Sequence, residues 1–383
     1  MFALSIVTQL KKPAMPRLPL EIIIEVLSRL PVKPLVQFKT VCKSWHHLIS
    51  SNPEFSRLQL QQAKQDSNVH LHRLFLSADP FISLDIEAYC DADENLVTRL
   101  HNFPVVDRED DFEFVGSCNG LISAVFGPDS QITIWNPSTG QSRRLPAAPG
   151  SFPDDKMSYG FGYDLKLDDY KLVRIASSAS CIEVQMEIFN LKANTWRTVH
   201  NLNCCVRLQG GSIVALNGVL HWLVGQENEG MMIISFDLAE EKFLDMIQVP
   251  DYVTENWGIN PGTQLRILQD SLCMCSGSHT TNFEAWKAER YETKVCWTKL
   301  FSFSNDQLPG CKYWLNVLSV AKNGSILLNY EGLEILIYNP KEQTLRRFDV
   351  PNDWHYFEAI TYIESLVSPN SVNGSVAAVY VQG

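Results

Sequence analysis

The chain has 383 residues, of which 45% are hydrophobic and 20% charged, and its net charge at pH 7 is −11. This composition is typical of a globular protein with one large domain or two smaller ones, and it excludes low-complexity and fibrous classes. No apolar run approaches the roughly 20 residues of a membrane-spanning helix. The apolar start MFALSIVTQL precedes its lysines, which is the wrong order for a signal peptide.

The cysteines indicate a reducing compartment. Ten are scattered along the chain, with no CxxC pair among them. Disulfide frameworks belong to short secreted chains. We therefore expect reduced, mostly buried thiols and a cytoplasmic or nuclear location, or both.

Charge divides the chain into two parts. Residues 1–60 hold eight Lys/Arg and three Asp/Glu, whereas the remainder holds 24 Lys/Arg and 40 Asp/Glu. A basic head suits an acidic partner, and an acidic body argues against nucleic acid and for a basic protein partner. Ordinary solvated surfaces are the alternative explanation for both parts.

The first predicted elements are helical. After a tail of residues 1–15, the stretch LPLEIIIEVLSRLPVKPL places apolar residues at the spacing of one helix face, while Ile22 and Val26 add a second apolar face. Pro31 ends this helix and Pro34 suits the start of the next. A third helix follows in KSWHHLISS, so we predict three short helices within residues 16–60.

The predicted head has more apolar surface than it can bury. About half of residues 18–49 are apolar, and a unit of about 40 residues rarely folds without a metal, a disulfide or a partner. The surplus predicts either docking to another protein or packing on the β domain of this chain.

The head resembles an F-box. The resemblance rests on the Leu18-Pro19 start, the LPVK joint at residues 30–33 and the VCKSW run at residues 41–45. It implies binding to a Skp-family adaptor, and through it to cullin and the RING subunit of a ubiquitin ligase. The residues that it implies for the adaptor interface or its support are Leu18, Pro19, Leu30, Pro31, Val32, Leu35, Val41, Cys42 and Trp45.

The rest of the chain repeats itself. An aromatic residue after a hydrophobic strand and before a polar turn recurs about every 50 residues, at Trp135, Phe189, Phe236, Trp286 and Tyr338. Hairpin signals alternate with them at Asn119-Gly120, Asp168-Asp169, Asn217-Gly218, Asp270-Ser271 and Asn323-Gly324.

Units of four strands at this period predict a β-propeller. We expect a linker and first strands in residues 61–110, the propeller in residues 111–369 and a tail in residues 370–383, with one more strand in the tail as an alternative. Six blades are predicted, with seven as the alternative. The sixth would join early strands such as FISLDI to the late strand EAITYI. A β-sandwich array is the competing fold.

The body resembles the F-box-associated domain of plant F-box proteins, often described as F-box/kelch. GSCNGLI at residues 116–122, WNPSTG at 135–140, YGFGYD…DYKLVRI at 159–175, NGVLHWL at 217–223 and FDLAEEKF at 236–243 carry the likeness. With the F-box resemblance, it implies a substrate receptor of a Skp–cullin–F-box ligase that captures a target protein for ubiquitination and degradation.

The target site is predicted on the face with the longer loops. In each blade the connections between the second and third strands, and between blades, are longer and more varied than the other turns, and such loops usually carry binding. From them we select aromatic and charged residues, with packing at a blade edge as the alternative for each. These are Asp154, Asp155, Tyr252, Trp257, Trp354 and His355.

The sequence carries no motif for chemistry of its own. It has no nucleotide-binding glycine loop, no GxSxG and no paired zinc ligands, so we predict no catalytic residue, metal or cofactor. Cys273 and Cys275 alternate in a strand and are expected to face packing. Alternative functions are a propeller enzyme or small-ligand lectin with a dimerising head, and an F-box adaptor that acts without cullin.

Overall fold

A computed structural model gives the fold of the chain. It describes residues 18–66, 72–77, 81–90, 97–100, 112–127, 129–150, 156–177, 184–202, 207–208, 213–226, 230–249, 263–277, 282–291, 294–304, 315–348 and 357–371. Within them, short helices precede six antiparallel sheets. The predicted fold class is confirmed, with six blades rather than seven.

The helical head comprises residues 18–66. Its helices are α1 (Leu20–Ser28), α2 (Val32–Phe38), α3 (Lys43–Ser51) and α4 (Pro53–Gln65). The first three are the predicted ones. The fourth was not predicted, and it runs through the expected domain boundary at residue 60. It begins where the Asn52 side chain accepts a hydrogen bond from the Phe55 N–H at 2.9 Å, with Pro53 at the first helical position.

Three blades lie in the first half of the propeller. Blade 1 consists, from the centre outwards, of β26 (Ala359–Ile363), β1 (His72–Leu76), β2 (Phe81–Asp85) and β3 (Val97–Leu100), with α5 (Ile86–Cys90) after β2. Blade 2 consists of β4 (Phe112–Cys118), β5 (Leu121–Phe126), β6 (Gln131–Asn136) and β7 (Gln141–Arg144). Blade 3 consists of β8 (Lys156–Asp164), β9 (Asp169–Ser177), β10 (Val184–Asn190) and β11 (Thr195–Leu202).

Three blades complete the ring. Blade 4 consists of β12 (Arg207–Leu208), β13 (Val214–Leu216), β14 (Val219–Gln226), β15 (Gly230–Asp237), β16 (Lys242–Phe243) and β17 (Ile247–Gln248). Blade 5 consists of β18 (Gln264–Leu268), β19 (Ser271–Ser276), β20 (Phe283–Tyr291) and β21 (Lys294–Phe303). Blade 6 consists of β22 (Leu315–Val320), β23 (Ile326–Tyr330), β24 (Glu334–Asn339) and β25 (Thr344–Phe348).

Blade 1 closes the ring with strands from both parts of the chain. The late strand β26 pairs antiparallel with β1, so that Leu74 lies opposite Thr361. As predicted, the early strand FISLDI (β2) and the late strand EAITYI (β26) belong to the same blade, where β1 lies between them. In the other blades the innermost strand comes first in sequence, whereas here it comes last.

The core lies between neighbouring blades. Six clusters of buried side chains each join two adjacent sheets around the ring. The recurring aromatics lie on the third strand of their blades, and Phe189 and Phe236 are almost fully buried. Cys273 and Cys275 are inaccessible in the cluster between blades 5 and 6, as the strand alternation predicted.

Two kinds of turn give the propeller a regular face. The turns after the innermost strands use positive φ, as at Asn119 (50°) and Gly120 (86°). In the turns after the third strands, the side-chain oxygen of the last strand residue accepts a hydrogen bond from the backbone N–H two residues later. Asn136 Oδ1 accepts from the Ser138 N–H at 2.8 Å, and Asn339 Oδ1 accepts from the Lys341 N–H at 3.0 Å. These two kinds of turn lie at the same end of each blade, and we call that end the turn face.

Candidate functional site

Helix α1 has two apolar faces with different surroundings. Leu27 is 2% exposed in the core of the head, and Ile23 packs against that core. Leu18 precedes the first turn of α1, and Ile22 and Val26, spaced by four residues, lie on one side of the helix axis. Their exposed fractions are 66%, 48% and 55%, so α1 presents an apolar stripe to solvent.

The residues predicted for the adaptor interface fall into two groups. Leu18, Pro19, Pro31, Val41 and Cys42 are exposed and Leu30 and Trp45 are half-buried. Val32 and Leu35 are 2% and 0% exposed. The first group can contact a partner, while the second can only support the helices from inside. Trp45 packs edge-to-face against Phe38, with ring centroids 5.8 Å apart.

Three further exposed residues belong to this surface. Leu20 is 56% exposed and lies in the same helix as Ile22 and Val26. Their signal was present in the sequence, because α1 is apolar on more sides than one small core can cover. Motif matching selected the Leu-Pro positions and left these three out. We call Leu18, Leu20, Ile22, Val26 and Val41 the apolar patch.

Helix α4 connects the head to the propeller, because two different sides of it contact the two parts. On one side Gln59, which is fully buried, donates from Nε2 to the Leu30 carbonyl at 3.1 Å. On the other side Leu60 is part of the buried cluster between blades 2 and 3. Lys64 Nζ reaches Asn119 Oδ1 at 3.0 Å, in the first turn of blade 2. The head is therefore seated on the turn face.

Asp168 anchors α4 to blade 3. Arg57 Nη1 lies 3.2 Å and Lys192 Nζ 3.0 Å from its Oδ2, and the Tyr163 hydroxyl donates to its Oδ1. Partial burial opposes ionisation of this carboxyl group. The hydrogen bonds from Tyr163 and Lys192 and the nearby positive charges outweigh that effect and lower its pKa. Asp168 therefore stays charged at neutral pH and holds the basic helix.

A channel runs through the centre of the propeller. Its volume is about 1740 Å³, and its wall is formed by the innermost strands. Arg57, Gln61 and Lys64 of α4 line it at the turn face. Glu331 and Leu333, in the turn after β23, line it at the opposite end. The head thus occupies one mouth of the channel, and we call the other end, which no described residue of the head reaches, the open face.

The residues predicted to contact a target, Asp154, Asp155, Tyr252, Trp257, Trp354 and His355, all lie outside the described residues. Gly150, the described residue that precedes one of these loops, is held by hydrogen bonds to blade 3. Arg174 and Glu187 form a buried ion pair at 2.8 Å. Arg174 Nη2 donates to the Gly150 carbonyl at 2.5 Å, and the Gly150 N–H donates to Glu187 Oε1 at 3.0 Å. The segment that leads to Asp154 therefore departs from a fixed point on blade 3.

Two cysteine thiols remain in the unreactive protonated form at neutral pH. Burial raises the pKa of Cys118 to about 12 and that of Cys273 to about 11, so both stay protonated at neutral pH. In the part of the chain that the structure covers, no three His, Cys, Asp or Glu side chains group as metal ligands. No helix there has the length and hydrophobicity to cross a membrane.

Comparison with known proteins assigns both parts of the chain. Residues 15–57 match the F-box domain, and residues 65–369 match the F-box associated beta propeller domain. Among curated proteins of Arabidopsis thaliana, F-box/kelch-repeat protein At3g23880 is 27% identical, with 93% of this chain and 96% of that protein aligned. F-box protein CPR1 is 26% identical, with 92% and 89% aligned. F-box protein At3g07870 is 25% identical, with 85% of each aligned.

Proposed function

The chain belongs to the F-box proteins with an F-box-associated β-propeller, and we propose that it is the substrate-recognition subunit of a Skp–cullin–F-box ubiquitin ligase. In this proposal the helical head binds a Skp-type adaptor. The propeller binds a target protein and presents it for ubiquitination and degradation.

The apolar patch is the observation that carries the proposal. Leu18, Ile22 and Val26 are exposed on a head whose interior is already filled by Leu27, Leu35 and other side chains. Exposed apolar side chains concentrated on one small unit mark a protein interface. The patch is left uncovered by the propeller, which receives the head through α4 instead.

The open face is the proposed target site. The head sits on the turn face and lines that mouth of the channel, so a target that binds at the open face does not compete with the adaptor. The six residues from Asp154 to His355 named above are proposed as its contacts. The acidic propeller favours a basic target surface.

Catalysis in this proposal belongs to the other ligase subunits. The chain contributes proximity, because it holds the target near a ubiquitin-conjugating enzyme that is bound elsewhere in the complex. It would act in the cytoplasm or the nucleus, where cysteines such as Cys273 and Cys275 stay reduced.

Reconstitution tests the proposal directly. The full chain is expressed with a Skp-type adaptor, and the purified pair is then mixed with cullin and the RING subunit. We expect a stable four-part complex that elongates ubiquitin chains when the conjugating enzyme is added. Purification of the chain without the adaptor would overturn the proposal. A complex with adaptor that fails to recruit cullin would instead favour a cullin-independent adaptor role.

Proximity labelling from the propeller would identify the target. A Leu18→Ala/Pro19→Ala variant, which is expected to lose the adaptor, should accumulate labelled proteins that the wild-type chain sends to degradation. Equal labelling of every protein by the two chains would count against a role in degradation.

A further inference from the structure

The chain after β26 takes an unexpected path between the head and the propeller. Residues 364–371, which we call the clasp, leave the innermost strand of blade 1 and cross the turn face of blade 2. At their far end Arg143 Nη1 donates to the Pro369 carbonyl at 3.2 Å, and Asn370 Nδ2 donates to the Ser142 carbonyl at 3.3 Å. The clasp thus runs from the centre of the ring to the outer strand of its neighbour.

Two adjacent clasp residues enter two different cores. Leu366 is 3% exposed and belongs to the core of the head, together with Leu35, Ile49 and Phe55. Val367 is 7% exposed and belongs to the cluster between blades 2 and 3. No other residue of the described propeller region is part of the buried core of the head. Two consecutive residues of the clasp therefore join the core of the head to the core of the propeller.

Hydrogen bonds hold residues 365–367 of the clasp in place. The fully buried Asn136 donates from Nδ2 to the carbonyls of Ser365, at 3.1 Å, and Val367, at 2.6 Å. Ser365 Oγ donates to the Asn119 carbonyl at 2.8 Å. From the head, Ser56 Oγ donates to the Leu366 carbonyl at 3.2 Å. Buried carbonyls that lose such donors are costly to leave unpaired.

Gly120 leaves room for the clasp. Its φ is +86°, and a Cβ there would collide with Ser365 Oγ and lie 2.7 Å from the Ile363 carbonyl oxygen. The Asn-Gly turn of blade 2 therefore serves the close passage of the clasp as well as its own hairpin.

These contacts depend on closure of the ring. The clasp directly follows β26, whose position is fixed by pairing with β1. Until that pair forms, Leu366 has no reason to lie in the core of the head. A head of about 50 residues has little stability to spare when one of its core side chains is missing.

We propose that Leu366 is a positioning residue of the adaptor-binding surface, and that the clasp makes adaptor binding conditional on a closed propeller. The inference rests on the proposed function. Its consequence is that a chain with an open or damaged ring presents an unstable head and is not loaded into the ligase. The structural coupling itself can be tested without the adaptor.

The sharpest test uses two equivalent asparagines. In Asn136→Asp the carboxylate keeps the turn contact with Ser138 but loses both donations to the clasp and faces two carbonyl oxygens. In the control Asn339→Asp the side chain, which accepts from Lys341 and Glu342 of blade 6, remains an acceptor. Hydrogen exchange is measured in the full-length chain for peptides from α1, α2 and α3.

We expect Asn136→Asp to accelerate exchange in all three helices and Asn339→Asp to leave it at the wild-type rate. Leu366→Ala is the second variant, and the cavity that it leaves should accelerate exchange there by about 30-fold to 1000-fold. Its control is Leu328→Ala, a fully buried leucine between blades 5 and 6. Peptides from blade 5 report whether each variant has folded.

Adaptor affinity completes the test. We expect purified Skp-type adaptor to bind Asn136→Asp and Leu366→Ala at least about tenfold more weakly than it binds the two controls. Unchanged exchange in α1–α3 for both clasp variants would overturn the inference. If the wild-type chain itself fails to bind the adaptor, the proposed function is wrong, and the exchange measurements still decide whether the clasp stabilises the head.

Discussion

The helical head and the propeller use apolar side chains in opposite ways. Among the described residues, ten large hydrophobic side chains are exposed, and five of them form the apolar patch within residues 18–41. The other five lie apart from it in blades 3, 4 and 6, at Leu165, Leu167, Leu244, Met246 and Leu333. The propeller buries its apolar residues between blades, whereas the head keeps a concentrated share on its surface.

The difference separates what folds the chain from what the chain does. Each blade is stabilised by two neighbours, so the ring is satisfied by its own contacts. The core of the head includes Leu366 of the clasp, and α4 packs on the turn face. Even so, Leu18, Ile22 and Val26 remain exposed. The surface left over after both kinds of packing is the part available to a partner.

The largest expected effect is on adaptor binding. Ile22→Glu places a charge in the apolar patch, at a residue that is 48% exposed. We expect a loss of adaptor affinity of about 100-fold or more, because a charge buried against an apolar partner surface loses its hydration without gaining a partner. Since the side chain already faces water, the free energy of unfolding should change by less than about 1 kcal/mol. Calorimetric titration with purified adaptor and chemical denaturation measure the two quantities.

Leu167→Glu is the matched control for this experiment. Leu167 is 57% exposed but lies in a turn of blade 3. It should leave both adaptor affinity and stability unchanged. If the two variants weaken adaptor binding equally, the distinction between the patch and scattered exposed residues is wrong.

The propeller is expected to be most sensitive at a buried polar contact between blades. Lys171 is inaccessible, and its Nζ lies 2.7 Å from Asp164 and 2.8 Å from Glu241 of blade 4. Lys171→Met would leave Asp164 buried without its cation, at a cost of about 3–5 kcal/mol in the free energy of unfolding. Urea denaturation measures this cost, and adaptor affinity measured in the absence of denaturant should be retained.

A second lysine of the same blade provides the comparison. Lys166 also reaches the third turn of blade 4, where its Nζ lies 3.0 Å from Glu240, but both side chains are exposed. Lys166→Met should give a denaturation curve that overlays the wild-type curve. A destabilisation as large as that of Lys171→Met would show that burial is not the cause.

Acid should weaken the propeller through His221. This side chain is buried in β14, where Nδ1 lies 2.8 Å from Ser235 Oγ, and burial lowers its pKa from 6.5 to about 4. Below pH 6.5 the imidazole of His221 therefore binds a proton in the unfolded chain, whereas in the folded chain it stays neutral until the pH approaches 4. The folded state should lose about 2 kcal/mol between pH 7 and pH 5 from this residue.

His221→Gln isolates that contribution. Carboxyl groups also titrate as the pH falls, so the relevant quantity is the difference between the two chains in the pH dependence of unfolding. The variant should be less stable at pH 7 if it packs poorly, but its stability should fall less between pH 7 and pH 5. Parallel pH profiles for the two chains would show that folding does not lower the pKa of His221.

The repeat made the propeller predictable from sequence. The aromatic positions and the Asn-Gly turns recur because each blade meets the same inter-blade environment, and the late strand was matched to blade 1 because it completes a sixth unit that closes the ring. The head was identified from motifs whose spacing reflects helix geometry. Local patterns of this kind are visible in one sequence because neighbouring residues create them.

The connection between the two parts was not predictable in the same way. Helix α4 was missed because PEFSRLQLQQAKQ is largely polar, and its two functional sides, marked by Gln59 and Leu60, are defined only by what lies beside them. The clasp reads as the end of a strand, and nothing near Leu366 indicates a contact with Leu35, which lies more than three hundred residues earlier. Contacts between distant segments leave no periodic signal.

The smallest effect is expected at the seam between head and propeller, and it tests which force seats α4 there. Arg57→Ala removes an ion pair with Asp168 whose side chains are 53% and 35% exposed. Such pairs contribute about 1 kcal/mol or less because solvent screens them. Lys192 also remains beside the same carboxylate after the substitution.

Leu60→Ala, one turn later, removes a buried side chain between blades 2 and 3 and should cost about 2–5 kcal/mol in the free energy of unfolding. Chemical denaturation at low and high salt separates the two contributions, since only the Arg57 effect should shrink with added salt. If Arg57→Ala proved as costly as Leu60→Ala, the head would be held by charge, and the contrast between a basic head and an acidic body would describe this seam better than apolar packing does.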